Sequence, residues 1–63
     1  MTPAERTETM QRLIRADTRT RAEIAEALGV SKWTVRSWME GSRTPPEMAV
    51  RLMLKVHRAR PAE

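Results

Sequence analysis

The fold is decided by residues 20–41, which read TRAEIAEALGVSKWTVRSWMEG. Two short runs with helical spacing flank Gly29, a residue type that often ends a helix in the left-handed conformation. On a wheel of 3.6 residues per turn, the second run divides into two unlike faces. The outer face carries Lys32, Trp33, Arg36, Ser37 and Glu40. The inner face carries Thr34, Val35, Trp38 and Met39. We expect two helices joined by a tight turn, the second packed on its inner face.

An outer face with cations, a hydroxyl and an aromatic ring suits the DNA major groove. Lys32 and Arg36 lie one turn apart and could both reach guanine O6 and N7; the alternative is a solvated cationic face. Trp33 would meet a thymine methyl or a sugar edge, unless it folds back against the preceding helix. Glu40 could accept from cytosine N4, pair with Arg36, or lie beyond the DNA, and the i,i+4 spacing favours the pairing.

The motif Thr-x-x-Glu occurs three times and predicts three helix starts, because the Thr hydroxyl and the Glu carboxylate can each cap a backbone amide. The three threonines are Thr2, Thr20 and Thr44. Pro follows two of them directly, where its missing N–H costs nothing. With a Ser31 cap, the predicted helices are 3–16, 21–28, 32 to 39 or 40, and about 45–59. The inward side chains are expected to be Met10, Leu13, Ile14, Ile24, Ala25, Ala27, Leu28, Val30, Val35 and Trp38.

Composition limits the classes of protein that need considering. The chain has 63 residues, no Cys and a single His, so we expect one domain over 1–63 with no disulfide and no metal site. Lys and Arg exceed Asp and Glu by 12 to 8, which favours an anionic partner but also serves solubility. No apolar run suits a membrane span or a signal peptide, so the cytoplasm of a bacterial or phage-infected cell is expected. We expect the last few residues to be frayed.

The spacing of an apolar-Ala pair, Leu-Gly-Val-Ser, a further apolar residue, Trp and Gly resembles the Cro/XRE-type, lambda-repressor-like helix-turn-helix. These residues are Ile24, Ala25, Leu28, Gly29, Val30, Ser31, Val35, Trp38 and Gly41. The resemblance covers about residues 20–54. It implies an all-α, compact bundle of four or five short helices, and a dimeric transcriptional regulator acting on palindromic operators. Two features depart from the family: many members have Gln where this chain has Arg21, and little chain remains for a full fifth helix.

The resemblance also implies which residues touch DNA. The base-contacting positions are Lys32, Trp33, Arg36 and Ser37, and the phosphate-contacting positions are Thr20, Arg21, Ser42 and Arg43. The residues themselves support this assignment, because Thr20 and Arg21 stand at a helix start whose amides and dipole favour a phosphate. Arg43 sits in the loop after the recognition helix, and Arg19 is a further candidate. Each arginine could instead be an ordinary surface residue.

The fourth predicted helix is apolar over about 240° of its circumference, which is more than a one-sided helix needs. Met48, Ala49, Leu52, Met53 and Val56 suffice to cover the core. The surplus predicts either a helix wedged deeply in the bundle or a two-fold dimer, which we favour. The predicted interface residues are Val50, Met53, Leu54 and His57. A dimer would place two recognition helices one DNA turn apart, about 34 Å.

The sequence therefore predicts a sequence-specific regulator of double-stranded DNA, most simply a phage or mobile-element repressor that competes for promoter DNA. One alternative is an excisionase-like or packaging subunit that binds DNA without regulating transcription. Another is a helical protein–protein interaction module that uses Trp33 and the fourth helix. We expect no enzyme, no cofactor and no small-molecule ligand, because the chain lacks a catalytic triad, a phosphate loop and convergent carboxylates.

Overall fold

The computed structural model describes residues 1–59 and places four α-helices in that range. They are α1 (Pro3–Ala16), α2 (Arg21–Leu28), α3 (Lys32–Glu40) and α4 (Glu47–Arg58). No strand occurs among these described residues. The predicted all-α bundle of four helices is confirmed, and the first three helices have the predicted bounds. The expected fraying of the last residues concerns positions 60–63, which lie outside the described part.

Two of the three predicted capping boxes form. The Thr2 hydroxyl accepts from the Glu5 amide at 3.1 Å, and the Thr2 amide donates to the Glu5 carboxylate at 2.8 Å. Thr20 and Glu23 repeat this exchange at 3.2 and 2.8 Å at the start of α2. Because the carboxylate of each box accepts a backbone hydrogen bond, the pKa values of Glu5 and Glu23 are lowered. The sequence motif therefore fixes where α1 and α2 begin.

The third predicted box, from Thr44 to Glu47, is wrong. Helix α4 begins at Glu47, and its N-cap is Pro46, which provides no side-chain hydrogen bond. Two consecutive prolines explain the shift, because a residue before proline is driven into the extended region and Pro45 cannot start a helix ahead of Pro46. Pro45 is instead buried, and its carbonyl accepts from Arg6 Nε at 3.0 Å.

The core lies where all four helices meet. Its buried apolar side chains are Met10, Ile14, Ile24, Ala25, Leu28, Val35, Trp38, Val50 and Met53. Leu13 and Val30 pack against this core while partly buried, close to expectation. Ala27 is exposed, contrary to the prediction, because α2 turns the arc of Ile24, Ala25 and Leu28 inward and leaves Ala27 outside it.

The predicted division of α4 is wrong in part. Ala49 and Val56 pack against the core as predicted. Val50 and Met53 are buried in the core of the single chain, so they have no surface to offer a second copy. Met48 and Leu52, predicted to cover the core, are 83% and 39% exposed. Because apolar residues surround most of α4, helical periodicity does not determine which side of α4 faces the core. The packing of α4 against α1 and α2 determines it. Leu54 is half-buried.

A cluster of hydrogen-bonded polar side chains lies where α1, α2 and α4 approach one another. Asp17, whose carboxylate is fully buried, accepts from His57 Nδ1 at 3.0 Å and from the Arg19 amide at 2.9 Å. Arg19 Nη1 lies 3.5 Å from the same carboxylate and donates to the Val56 carbonyl at 3.2 Å. Arg19 is therefore engaged with Asp17 and with α4, and its candidacy as a phosphate contact stays a prediction. His57, a predicted interface residue, is half-buried and bonded within its own chain.

Candidate nucleic-acid interface

Helix α3 separates into the two faces that the sequence predicts. Val35 and Trp38 are buried in the core, whereas Lys32, Trp33 and Arg36 are exposed. Ser37 is half-buried at the edge between the two faces. The separation arises because apolar residues at helical spacing pack on one side and leave the intervening residues in water.

Local hydrogen bonds fix the start of this helix and the turn that precedes it. The Ser31 hydroxyl accepts from the Thr34 amide at 3.2 Å and caps the start. At the turn that joins α2 to α3, Gly29 has φ +73°, and the Val30 amide donates to the Ala25 carbonyl at 2.9 Å. Only glycine adopts this left-handed conformation without strain, so the tight turn depends on Gly29. This turn determines the direction in which α3 leaves α2.

The exposed face of α3 is organised around Arg36. Its guanidinium carbon lies 5.7 Å from the centre of the Trp33 ring, a cation–π distance. Its Nε donates to Glu40 Oε2 at 3.0 Å, which confirms the expected pairing. Trp33 is 63% exposed, so the alternative in which it folds back against α2 is wrong. These contacts place a cation, an aromatic ring and a carboxylate in a row along α3.

A groove of about 650 Å³ runs beside this row. It is lined by Arg15, Arg21, Lys32, Trp33, Arg36, Met39 and Glu40. Four of these residues are cationic and one is anionic, so the groove attracts anions. Arg15 and Met39 were not predicted as part of this surface. Helical periodicity only indicates that Arg15 lies outside the apolar stripe of α1, and the packing of α1 against α3 brings it to the groove.

The predicted phosphate-contacting residues lie outside α3, at the start of α2 and in the loop that follows α3. Arg21 is exposed at the first residue of α2 and lines the groove, while the hydroxyl of the exposed Thr20 caps α2. In the loop after α3, the Ser42 hydroxyl donates to the Ser37 carbonyl at 3.3 Å, and the Arg43 side chain is exposed. Exposed cations beside a recognition helix are suited to the two phosphate backbones that border a major groove.

No group of three or more His, Cys, Asp or Glu side chains within residues 1–59 is arranged to hold a metal ion. None of the described helices has the length and apolar character needed to cross a bilayer.

The comparison with known families agrees with this geometry. The helix-turn-helix family model matches residues 10–63, which include the second half of α1 and all of α2, α3 and α4. No curated protein and no solved structure gives a match. The matched range covers more than half of the chain and contains the turn, the recognition helix and the groove described above. The chain belongs to the Cro/C1-type helix-turn-helix family and is a DNA-binding transcription regulator of the XRE type.

Proposed function

We propose that this protein is a sequence-specific repressor that inserts the outer face of α3 into the major groove of a duplex operator. The observation that carries the proposal is the exposed row of Lys32, Trp33 and Arg36 on a helix whose opposite face is buried. A large aromatic side chain in water is costly unless it meets a partner, and a base edge supplies one.

The proposed contacts divide into two classes. Base edges are read by Lys32, Trp33, Arg36 and Ser37, and phosphates are held by Thr20, Arg21, Ser42 and Arg43. Lys32 and Arg36 provide donors for guanine O6 and N7, and Trp33 provides apolar contact for a thymine methyl. Arg15 joins the phosphate contacts, because it lines the same groove as Arg21. The net charge of +4 favours this partner at long range.

We further propose that two copies bind a palindromic operator. The nine residues of α3 can touch few base pairs, and a second copy doubles the sequence that is read. Helix α4 packs against α1 and α2, so a partner on its outer side would leave the groove beside α3 open. The exposed side chains available for that contact are Met48 and Leu52, in place of Val50 and Met53. Repression then follows from covering promoter DNA.

Two arginine variants test the proposal in one binding assay. Arg36→Ala should cost about 1–3 kcal/mol on the preferred duplex and relax the preference at one base position. Arg21→Ala should weaken binding to all duplexes alike and reduce the slope of log K against log salt by about one. The assay compares a duplex selected from a random library with the unselected library, over a series of salt concentrations.

Two results would each contradict part of the proposal. If wild-type protein enriches no sequence from the library, the claim of sequence-specific binding is wrong. If Arg36→Ala loses as much affinity on random duplex as on the selected duplex, Arg36 does not read bases. Footprinting at the protein's own promoter then separates a repressor from a DNA-binding subunit with another role.

A further inference from the structure

Arg36 is held on two sides before any DNA arrives. The Trp33 ring lies beneath its guanidinium, with 5.7 Å between the guanidinium carbon and the ring centre. The carboxylate of Glu40 lies 3.0 Å from its Nε. All three residues belong to α3, so a single rigid helix sets their relative positions.

The contact made by Glu40 uses Nε and not the terminal nitrogens of Arg36. Within the described residues, neither Nη1 nor Nη2 of Arg36 donates a hydrogen bond. These two terminal N–H groups form a planar fork that matches O6 and N7 of guanine. The side chain is therefore held through Nε while its reading edge stays free.

The ion pair between Arg36 and Glu40 contributes little to the stability of the fold. The two side chains are 62% and 54% exposed, and ion pairs in water are weak. The ion pair can nevertheless favour recognition of a base. An unrestrained arginine must give up rotamer freedom to form two parallel hydrogen bonds. A guanidinium already fixed by a ring and a carboxylate loses less freedom when it meets the base.

We infer that Glu40 is a positioning residue for guanine recognition: together with Trp33 it holds Arg36 with its Nη1/Nη2 edge directed outward. This inference rests on the proposed function, since it requires α3 to read base edges. It runs against the simplest electrostatic expectation, in which a carboxylate at a DNA-binding surface repels phosphates and only weakens binding. It also differs from a competitor role, in which Arg36 must leave Glu40 before it can reach a base.

The three roles predict different base preferences, which a selection from a random duplex library measures directly. Glu40→Ala should reduce the preference for guanine about threefold to tenfold at the single position that Arg36→Ala abolishes, with the other positions unchanged. Affinity for unselected duplex should stay equal or rise, because a negative charge has been removed. Glu40→Gln keeps an oxygen that accepts from Nε and should restore most of the guanine preference.

Glu8→Ala is the matched control. Glu8 forms an exposed i,i+4 pair with Arg12 at 3.1 Å on α1, and it does not line the groove. Its removal changes the net charge as Glu40→Ala does but should leave the preference at every base position unchanged. Thermal unfolding followed by circular dichroism confirms that both variants keep the fold.

Several outcomes would overturn the inference. An unchanged preference with tighter binding to all duplexes means that Glu40 only repels DNA. A sharper guanine preference in Glu40→Ala means that Glu40 competes for Arg36. If wild-type protein selects a sequence and Arg36→Ala keeps the same preferences, Arg36 is not the reader and this inference fails while sequence-specific binding stands. If wild-type protein selects no sequence, both proposals fail together.

Discussion

At the scale of single residues, Asp17 is the charged side chain that lies in the interior of residues 1–59. Its carboxylate has no exposed surface, and burying a charge is costly unless hydrogen bonds and opposite charges compensate for it. Arg19, in the segment between α1 and α2, and His57, on α4, provide that compensation. One acidic side chain therefore ties the segment between α1 and α2 to α4, with 40 residues of sequence between Asp17 and His57.

This arrangement predicts how stability depends on pH. Burial tends to raise the pKa of Asp17, but the hydrogen bonds from Arg19 and His57 and their charges outweigh it, so the pKa lies below its ordinary value. A carboxylate with a depressed pKa stabilises the fold at pH values above the unfolded pKa, about 4, and this stability is lost as the pH falls through the folded pKa. Asp17→Asn should lower the free energy of unfolding by about 1–3 kcal/mol at neutral pH.

The same variant should lose part of the acid dependence, which denaturant unfolding between neutral and acidic pH measures. The lowered pKa values of Glu5 and Glu23 leave some acid dependence in the variant. Glu8→Gln, at an exposed position, should behave like wild type. An Asp17→Asn curve parallel to that of wild type at all pH values would show that Asp17 contributes no proton linkage.

The sequence predicted the outward direction of Lys32, Trp33 and Arg36 because helical periodicity within one element determines its faces. It could not predict the roles of Asp17, Arg19 or Arg15. Asp17 and Arg19 lie between two helices, and their partners on α4 are 40 and 37 residues away in the sequence. Pairings between separate elements depend on how the helices cross, and periodicity carries no information about that.

At the scale of elements, the end of α3 depends on α1. Gly41, at φ +79°, terminates the helix, and the Gln11 side chain of α1 donates to the carbonyls of Trp38 and Met39 at 3.1 and 3.2 Å. A helix end leaves several carbonyls short of donors. Gln11 supplies a donor to the Met39 carbonyl and a second donor to the Trp38 carbonyl, which also accepts from the Gly41 amide at 3.3 Å. The C-terminal end of α3 is therefore anchored by a polar side chain of α1.

Gln11→Met tests this anchor with little change in side-chain size. The variant should unfold with a free energy lower by about 1 kcal/mol, because two carbonyls lose a protein donor. Amide hydrogen exchange should also become faster in the last turn of α3. Arg12→Ala, which removes only an exposed ion pair at the adjacent position, should change stability by less than about 0.5 kcal/mol. Equal stability of both variants would show that water replaces Gln11 without cost.

The start of α4 shows where a local motif fails. Thr44 and Glu47 have the same spacing as the pairs that cap α1 and α2, yet consecutive prolines prevent the helical conformation on which a capping box depends. The sequence predicted the presence and approximate length of α4, while its first residue and its orientation required the tertiary structure.

At the scale of the whole molecule, two surfaces lie on different sides of the bundle. One is the cationic groove beside α3, and the other is the outer side of α4 with the exposed Met48 and Leu52. Exposed apolar side chains that lie one turn apart on a helix can pack against the same side chains of a second copy across a two-fold axis. The proposed dimer uses this surface.

Leu52→Glu should shift the sedimentation mass from dimer to monomer, because it introduces two like charges across the proposed axis. Operator affinity should fall at low protein concentration, while the unfolding of the monomer changes little. Arg58→Glu makes a larger change of charge on a different side of α4 and should keep the dimer. A dimer that survives in Leu52→Glu would exclude this side of α4 as the interface.

The two tryptophans give the molecule a property beyond recognition. The chain has no Tyr and no Phe, so its near-ultraviolet fluorescence comes from two indoles, one in water at Trp33 and one in the interior at Trp38. A dissolved quencher such as iodide reaches the first indole and is kept from the second. Emission therefore divides into one part that reports occupancy of the groove and another that reports the integrity of the core. The protein carries an intrinsic optical probe for each of these events and needs no attached dye.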